Sequence, residues 1–94
     1  MDLFSPIDLG DLHLANRVVM APLTRVRSGA EGVPGDLVAE YYAQRASAGL
    51  IISEGVYPAR ESRGYFGQPG IVNDEQEAGW RRVADAVHLS LIHI

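Results

Sequence analysis

Two uninterrupted apolar runs, Val18–Met20 and Leu50–Ile52, flank a stretch with helical periodicity. Apolar residues recur at helical spacing from Asp36 to Ala48, after a loop over residues 24–35. Continuous apolar runs are typical of strands that are buried on both faces of a parallel sheet. A strand–helix–strand unit in such a sheet crosses over with a right hand. The sequence therefore predicts an α/β fold with two neighbouring parallel strands.

Turn and capping residues give the limits of the remaining predicted elements. Pro22 ends the first strand, and Gly49 suits the position after the first helix. The second strand is predicted over Leu50–Val56, and a long loop over residues 57–72 follows it. A second helix is predicted from Asp74 to about His88. Its apolar stripe has i, i+3, i+4, i+7 spacing and consists of Trp80, Val83, Ala84 and Val87.

Two further local signals lie at the start of the chain and before the second helix. Ile7–Leu9 and Leu12–Leu14 alternate apolar and polar residues around Gly10-Asp11, which predicts a β-hairpin. Asn73 and Gln76 have the spacing of a helix capping box.

Composition excludes several classes of protein. Eight basic and twelve acidic residues give a net charge of −4 without a basic run, so we expect no nucleic-acid partner and no membrane-surface partner. The absence of cysteine excludes disulfides, thiol catalysis and cysteine-based zinc sites. The apolar stretch Ala46–Ser53 is far shorter than the ~20 residues of a membrane span. The acidic N-terminus is unlike a signal peptide, so we expect a cytoplasmic protein.

Length limits what the chain can form alone. Its 94 residues suit one small domain, whereas a (β/α)₈ barrel takes about 250 residues. Two parallel strands cannot cover their own edges. Either a partner supplies the rest of the sheet or the chain is incomplete.

The carboxyl ends of the two predicted strands are candidate ligand positions. Ligands of parallel α/β proteins bind outside these ends, and here they carry Ala21-Pro22-Leu23-Thr24 and Ser53-Glu54-Gly55. Small residues and a hydroxyl group there would let a flat polar ligand approach the backbone. A purely structural interpretation stays open, in which Pro22 ends a strand, Thr24 caps a loop and Gly55 eases a bend.

Other candidate motifs give weaker signals. The glycines at positions 64, 67 and 70 have G-x-x-G-x-x-G spacing after a loop, which is not the dinucleotide fingerprint and favours a structured turn. The histidines at positions 13, 88 and 93 have no histidine partner at i+3 or i+4. The sequence therefore predicts no metal site and no histidine acid–base pair.

Several blocks, in order, resemble the Old Yellow Enzyme family of flavin-dependent ene-reductases. Asn16–Arg25 resembles the first barrel strand of that family, and Glu40–Gly55 resembles its first helix and second strand. The positions from Gly64 to His88 resemble its second loop and helix. The similarity extends over about residues 3–88.

This resemblance implies the N-terminal portion of a TIM (β/α)₈ barrel, incomplete, with an N-terminal hairpin followed by strand, helix, strand and helix. Residues 1–88 would belong to the barrel, and residues 89–94 form a tail that does not match. The cofactor implied is FMN, reduced by NADPH or NADH. The reaction implied is reduction of activated alkenes, namely α,β-unsaturated carbonyl compounds or nitro compounds, with the fragment alone inactive.

The resemblance also assigns roles to individual positions. Ala21, Pro22, Leu23 and Thr24 match the flavin contacts of the first strand. Gly55 matches a small residue near the isoalloxazine ring, and Tyr65 matches an aromatic residue that lines the substrate pocket. No catalytic residue of the family falls within the chain, because its substrate-activating pair and proton-donor tyrosine come from later segments.

Two alternatives remain open at this point. One is a fragment of another flavin oxidoreductase of the same barrel superfamily, similar to dienoyl-CoA reductase. The other is a non-enzymatic βαβ interaction module, although Leu50–Ile52 carries no edge-protecting charge. The oligomeric state is left open.

Overall fold

The computed structural model describes residues 2–92 of the chain, with side chains as far as residue 90. Two two-stranded sheets and two α-helices make up most of the regular structure in this part of the chain. The elements are β1 (Ile7–Leu9), β2 (Leu12–Leu14), β3 (Val19–Met20), α1 (Asp36–Ala43), β4 (Leu50–Ile51), a 3₁₀ turn (Arg60–Ser62) and α2 (Asp74–Ile92).

The first sheet is an antiparallel pair near the N-terminus. β1 and β2 pair with Ile7 opposite Leu14. The loop between them begins at Gly10, whose φ of +60° suits the first position of a type II′ turn. The Arg17 amide donates to the Leu3 carbonyl at 2.8 Å, which holds the segment before the sheet against the entry to β3.

The second sheet pairs β3 with β4 in parallel, as the strand–helix–strand pattern predicts. Val19 lies opposite Leu50, and the Ile52 amide donates to the Met20 carbonyl at 3.1 Å. β4 is shorter than the predicted strand, because regular pairing stops at Ile51 instead of Val56. Among the described residues, no second strand lies beside the remaining positions to extend the ladder.

Helix α1 begins at its predicted residue but ends at Ala43 instead of Ala48. After Ala43 the backbone tightens into i to i−3 hydrogen bonding, as when the Arg45 amide donates to the Tyr42 carbonyl at 3.0 Å. Such bonds satisfy carbonyls that a helix end leaves without partners. The tightened turn leads directly into Gly49 and β4.

Helix α2 has the predicted cap in a shifted form. Asn73 Oδ1 accepts a hydrogen bond from the Gln76 amide at 2.8 Å, as a capping residue should. Gln76 Oε1, however, accepts from the Val72 amide at 2.8 Å. In a capping box the Gln76 side chain would accept from the amide of the capping residue Asn73, but here it accepts from the preceding residue, Val72.

Helix α2 also continues past its predicted end near His88, as far as Ile92. No glycine or proline stops it there, and Ser90 Oγ donates to the Ala86 carbonyl at 2.8 Å, within the helix. Positions 93 and 94 of the predicted tail lie outside the described residues.

The core lies between the helices and one face of the β3–β4 sheet. Buried Val38, Tyr42 and Val83 form its centre. The partly buried apolar side chains packed against them are Met20, Ala39, Tyr41, Ile51, Trp80 and Val87.

The other face of the β3–β4 sheet is open. Because side chains alternate along a strand, Val19 and Ile52 point away from this core, and they are 46% and 45% exposed. The Cα radius of gyration is 14.4 Å, against about 12 Å for a closed domain of this length. In the described chain, helices therefore cover only one face of the β3–β4 sheet.

Candidate functional site

The segment that follows β3 is extended and exposed. Residues 21–24 lie outside any ladder, and each is exposed, Leu23 to 54%. Within the described part of the chain, the amides of Leu23 and Thr24 have no hydrogen-bond acceptor, and the Thr24 hydroxyl has no partner. Ala21, Pro22, Leu23 and Thr24 therefore present backbone and hydroxyl groups that a ligand can reach.

Gly55 lies at the end of the neighbouring strand segment with open space around it. A β-carbon at Gly55 would meet only Gln68 Nε2, at 3.8 Å. Its backbone has no positive φ. The packing of the described chain therefore does not require glycine at this position.

The two strand ends are joined by Glu54, a carboxylate that is only 3% exposed. Glu54 Oε1 accepts from the Arg25 amide at 3.4 Å, and Oε2 accepts from the Tyr42 hydroxyl at 3.0 Å. The Tyr42 hydroxyl also accepts from the Glu54 amide at 3.0 Å. Through these bonds Arg25, which follows Thr24, contacts Glu54, which precedes Gly55.

Burial controls the ionisation of Tyr42. It raises the Tyr42 pKa to about 12, and the charge of the adjacent Glu54 also raises it, while the hydrogen bond from the Glu54 amide lowers it. Tyr42 is therefore a neutral hydroxyl donor to Glu54 at any physiological pH.

Tyr65 lies on the loop between β4 and α2, and its side chain is 63% exposed. Gln68 connects this loop to the strand end. Its Oε1 accepts from the Gly64 amide at 2.8 Å, and its Nε2 donates to the Gly55 carbonyl at 3.4 Å. The structure thus brings the Tyr65 loop to Gly55 and leaves the Tyr65 ring accessible.

The loops after β3 and β4 are also bonded to each other. The Ser28 amide donates to the Gly67 carbonyl at 2.9 Å. Gly67 has a φ of +82°, and a β-carbon there would lie 2.6 Å from the Val26 carbonyl oxygen. A β-carbon at Gly70 would overlap the Tyr57 ring. Close packing between loops accounts for these two glycines.

A cavity of about 270 Å³ lies on the helix side of this network. Its lining includes Arg25, Leu37, Tyr41 and Glu54. None of the residues predicted to contact flavin or substrate lines it. The edge formed by residues 21–24 and Gly55 is therefore an open surface of the described chain and not an enclosed pocket.

Histidine and charged side chains form ordinary surface pairs. His13 Nδ1 and Asp8 Oδ1 are 2.6 Å apart in the exposed β1–β2 pair, and Arg81 contacts Glu77 along the exposed face of α2. Over residues 2–92 no three histidine, aspartate or glutamate side chains come together as metal ligands would. None of the helices in this range has the length and apolar character of a membrane span.

The sequence pattern singles out neither Glu54 nor Gln68 of this edge as a functional candidate. Glu54 is predicted only as part of a strand end, and Gln68 lies in the glycine-containing loop without a predicted role. The available signal for Glu54 is a lone carboxylate two residues after the apolar run Leu50–Ile52, because a charge in that position must find a buried partner. No comparable signal identifies Gln68.

The solved structures that resemble the chain include morphinone reductase and an old yellow enzyme homologue. Morphinone reductase, solved in complex with tetrahydroNAD, superposes with a TM-score of 0.90 and 57% identity over 94% of the chain. The old yellow enzyme homologue from Zymomonas mobilis superposes with a TM-score of 0.91 and 48% identity over 96% of the chain. The chain covers 24% and 25% of these two structures.

Sequence relatives lead to the same family. Enoate reductase 1 of Kluyveromyces lactis is 44% identical over 91 residues, which cover 93% of the chain and 23% of the relative. The chain therefore spans about a quarter of the length of the proteins it matches. The model of the NADH:flavin oxidoreductase / NADH oxidase family matches residues 2–92. The chain belongs to this family, which confirms the resemblance to Old Yellow Enzyme.

Proposed function

We propose that residues 1–88 supply the first quarter of a (β/α)₈ barrel that binds FMN and reduces activated alkenes with NADH or NADPH. The observation that carries this proposal is the pair of adjacent parallel strand ends, where residues 21–24 and Gly55 are exposed. Among the described residues, the amides of Leu23 and Thr24 have no hydrogen-bond acceptor there. Ligands of such barrels bind at the carboxyl ends of the strands. In this arrangement β1 and β2 close the bottom of the barrel.

The open sheet face supports barrel membership. Val19 and Ile52 are apolar, and nearly half of each side chain is exposed on the face away from the helices. A TIM barrel fills its interior with layers of such side chains from alternate strands. Closing the barrel would also give the far edges of β3 and β4 neighbouring strands, which removes the aggregation-prone edges of the open sheet.

The free groups at the strand ends suit a flavin ring. The Thr24 hydroxyl can donate to a ring carbonyl, and the amides of Leu23 and Thr24 can donate to ring heteroatoms. The space beside Gly55, where a β-carbon would meet nothing closer than 3.8 Å, lets a flat ring lie against the backbone. We infer that Ala21 and Pro22 contact the ring through their small, rigid surfaces.

FMN would supply the redox chemistry, and this chain would position the flavin ring and the substrate. Bound FMN would supply hydride transfer from NADH or NADPH to the β-carbon of an α,β-unsaturated carbonyl or nitro compound. A hydrogen bond from Thr24 would stabilise negative charge on the reduced ring and so tune its potential. Tyr65, on the loop bonded to Gly55 through Gln68, would form one wall of the substrate pocket.

Residues 1–94 expressed alone should neither bind FMN nor reduce an enone. The phosphate site of a TIM barrel usually comes from the loops after strands 7 and 8, which this quarter does not contain. A soluble, yellow preparation of the 94-residue chain with NADPH-dependent enone reduction would contradict this part of the proposal.

A chimeric enzyme tests the function itself. Residues 2–88 would replace the matching segment of morphinone reductase, to give a complete barrel, hereafter the chimera. We expect stoichiometric FMN and NADH- or NADPH-dependent reduction of 2-cyclohexenone. Morphinone reductase itself is the matched control for folding and cofactor content. A chimera that folds, by circular dichroism and a cooperative melt, but binds no FMN would overturn the proposal.

A further inference from the structure

Glu54 is the one carboxylate that the described structure buries, and it forms no ion pair among the described residues. The guanidinium of Arg25, the residue whose amide bonds to Glu54, lies instead over the Tyr41 ring, 5.1 Å from its centroid. Burying a carboxylate without a cation is costly unless hydrogen bonds replace its hydration. An apolar side chain would serve packing alone at lower cost.

The bonds of Glu54 connect three segments that are far apart in sequence. Oε1 reaches the Arg25 amide on the segment after β3, at 3.4 Å, and Oε2 reaches the Tyr42 hydroxyl on α1, at 3.0 Å. Tyr42 is itself 2% exposed and bonded a second time to the Glu54 amide, which limits the movement of the carboxylate. The Arg25 amide is therefore held against a rigid group.

We propose that Glu54 is a positioning residue that sets the distance of Thr24 from the flavin by holding the amide of Arg25. Thr24 is one residue before the held amide, and Gly55 is one residue after Glu54, so one side chain fixes both strand ends relative to each other. This inference rests on the proposed function, because Thr24 needs a flavin to act upon. Glu54 itself touches neither flavin nor substrate.

Loss of the Glu54 carboxylate should change the flavin potential and the reaction rate, with little effect on the affinity for FMN. Without the carboxylate, residues 21–25 lose a fixed attachment and the Thr24 hydroxyl moves relative to the ring. A small misplacement of a group that orients a reaction costs rate out of proportion to its effect on stability. Loss of a purely structural bond would instead lower stability and leave the potential of the flavin unchanged.

Three variants of the chimera separate these outcomes. Glu54→Met removes the acceptor at similar volume. Glu54→Gln keeps an acceptor for the Arg25 amide and can donate to Tyr42, but it removes the charge. Gln76→Met is the matched control, since Gln76 is likewise buried, at 2% exposed, and hydrogen-bonded, but it bonds to Val72, Glu31 and Tyr57, away from the flavin edge.

The readouts are the flavin midpoint potential, kcat and KM for 2-cyclohexenone, and hydrogen exchange of the peptide over residues 21–27. For Glu54→Met we expect a shifted potential, a fall in kcat of about tenfold at similar KM, and faster exchange. Glu54→Gln should keep the wild-type potential and kcat. Gln76→Met should melt at a lower temperature with an unchanged potential.

Each other result overturns the inference. An unchanged potential and kcat in Glu54→Met would leave Glu54 a packing residue. A shifted potential in Glu54→Gln would mean that the charge acts on the flavin directly, and this test holds even if Glu54→Met fails to fold. These results require a chimera that binds FMN. A folded wild-type chimera without FMN would overturn the proposed function and this inference with it.

Discussion

Gly32 lies directly against the phenol ring of Tyr57. A β-carbon on Gly32 would overlap the Tyr57 hydroxyl oxygen and lie 3.0 Å from Gln76 Nε2. The Gly32 carbonyl also accepts a hydrogen bond from the Gly70 amide at 3.0 Å. The loop after β3 and the loop before α2 therefore meet at a position that has no room for a side chain.

Substitution of Gly32 should destabilise the fold in the complete barrel. For Gly32→Ala in the chimera we expect the free energy of unfolding to fall by about 3 kcal/mol, from overpacking against Tyr57 and a φ of +66°. Gly10→Ala is the control, since Gly10 has a φ of +60° but no atom within 4 Å of the added carbon. Its loss should be about 1 kcal/mol. Urea denaturation measures both, and equal losses would refute the steric argument.

Thr24 should control flavin electronics without controlling the fold. Thr24→Val in the chimera removes the hydroxyl at equal volume, so we expect a shifted flavin potential and a five- to tenfold change in the rate of flavin reduction. That range corresponds to one hydrogen bond of about 1 kcal/mol. Stopped-flow absorbance of the flavin measures the rate, and an unchanged melting temperature is the control. Identical half-reactions in the two proteins would remove Thr24 from the flavin site.

Substitution of Gly55 should reduce FMN binding without changing the fold of the chain. In the chimera, Gly55→Leu should lose most of its FMN while its far-ultraviolet circular dichroism stays unchanged, because the new side chain occupies the space proposed for the ring. Gly64→Leu is the matched control, since Gly64 also has open surroundings, with only Gln68 Oε1 at 3.6 Å from an added carbon. If Gly55→Leu retains full flavin occupancy, the glycine is only a bend.

Periodicity and apolar runs predict the order of elements well but their ends poorly. The parallel pairing of Val19 with Leu50 follows from two apolar runs around a helix, and it is confirmed. The early end of α1 after Ala43 depends on i to i−3 bonds that compete closely with continued helix, which local propensity cannot resolve. The end of β4 at Ile51 depends on which neighbouring strand is present, and no local pattern carries that information.

The candidate edge was predictable in position but not in its internal bonding. The rule that ligands bind at the carboxyl ends of parallel strands identifies residues 21–24 and Gly55 from the sequence. The assignment of these residues to flavin came from family resemblance and stays a prediction. The bonds from Glu54 to Tyr42 and Arg25 join residues that only the folded chain brings together, so no spacing rule could reveal them.

The Tyr42 hydroxyl should stabilise the fold at neutral pH and lose this effect in alkali. Tyrosine ionises near pH 10 in an unfolded chain, whereas the Tyr42 pKa in the folded chain is about 12. Above pH 10 the folded state keeps a proton that the unfolded state has released, so stability falls as pH rises. In the chimera, Tyr42→Phe should cost about 1–3 kcal/mol at pH 8, by leaving Glu54 Oε2 without a donor.

The stability difference between the chimera and its Tyr42→Phe variant should be measured as a function of pH. Thermal melts of the chimera and of Tyr42→Phe at pH 8, 10 and 11 should show a gap in melting temperature that narrows above pH 10. Other titrating groups are common to both proteins and cancel. A gap that stays constant to pH 11 would contradict the raised pKa of Tyr42.

A crystal structure of the chimera with FMN would show whether the two strand ends bind the flavin. We expect the isoalloxazine ring over the carboxyl ends of β3 and β4, with Thr24 Oγ1 within about 3.2 Å of a ring heteroatom and no side chain between the ring and Gly55. Glu54 should still accept from the Arg25 amide. A flavin bound away from residues 21–24, with Thr24 and Gly55 facing solvent, would refute the proposed site.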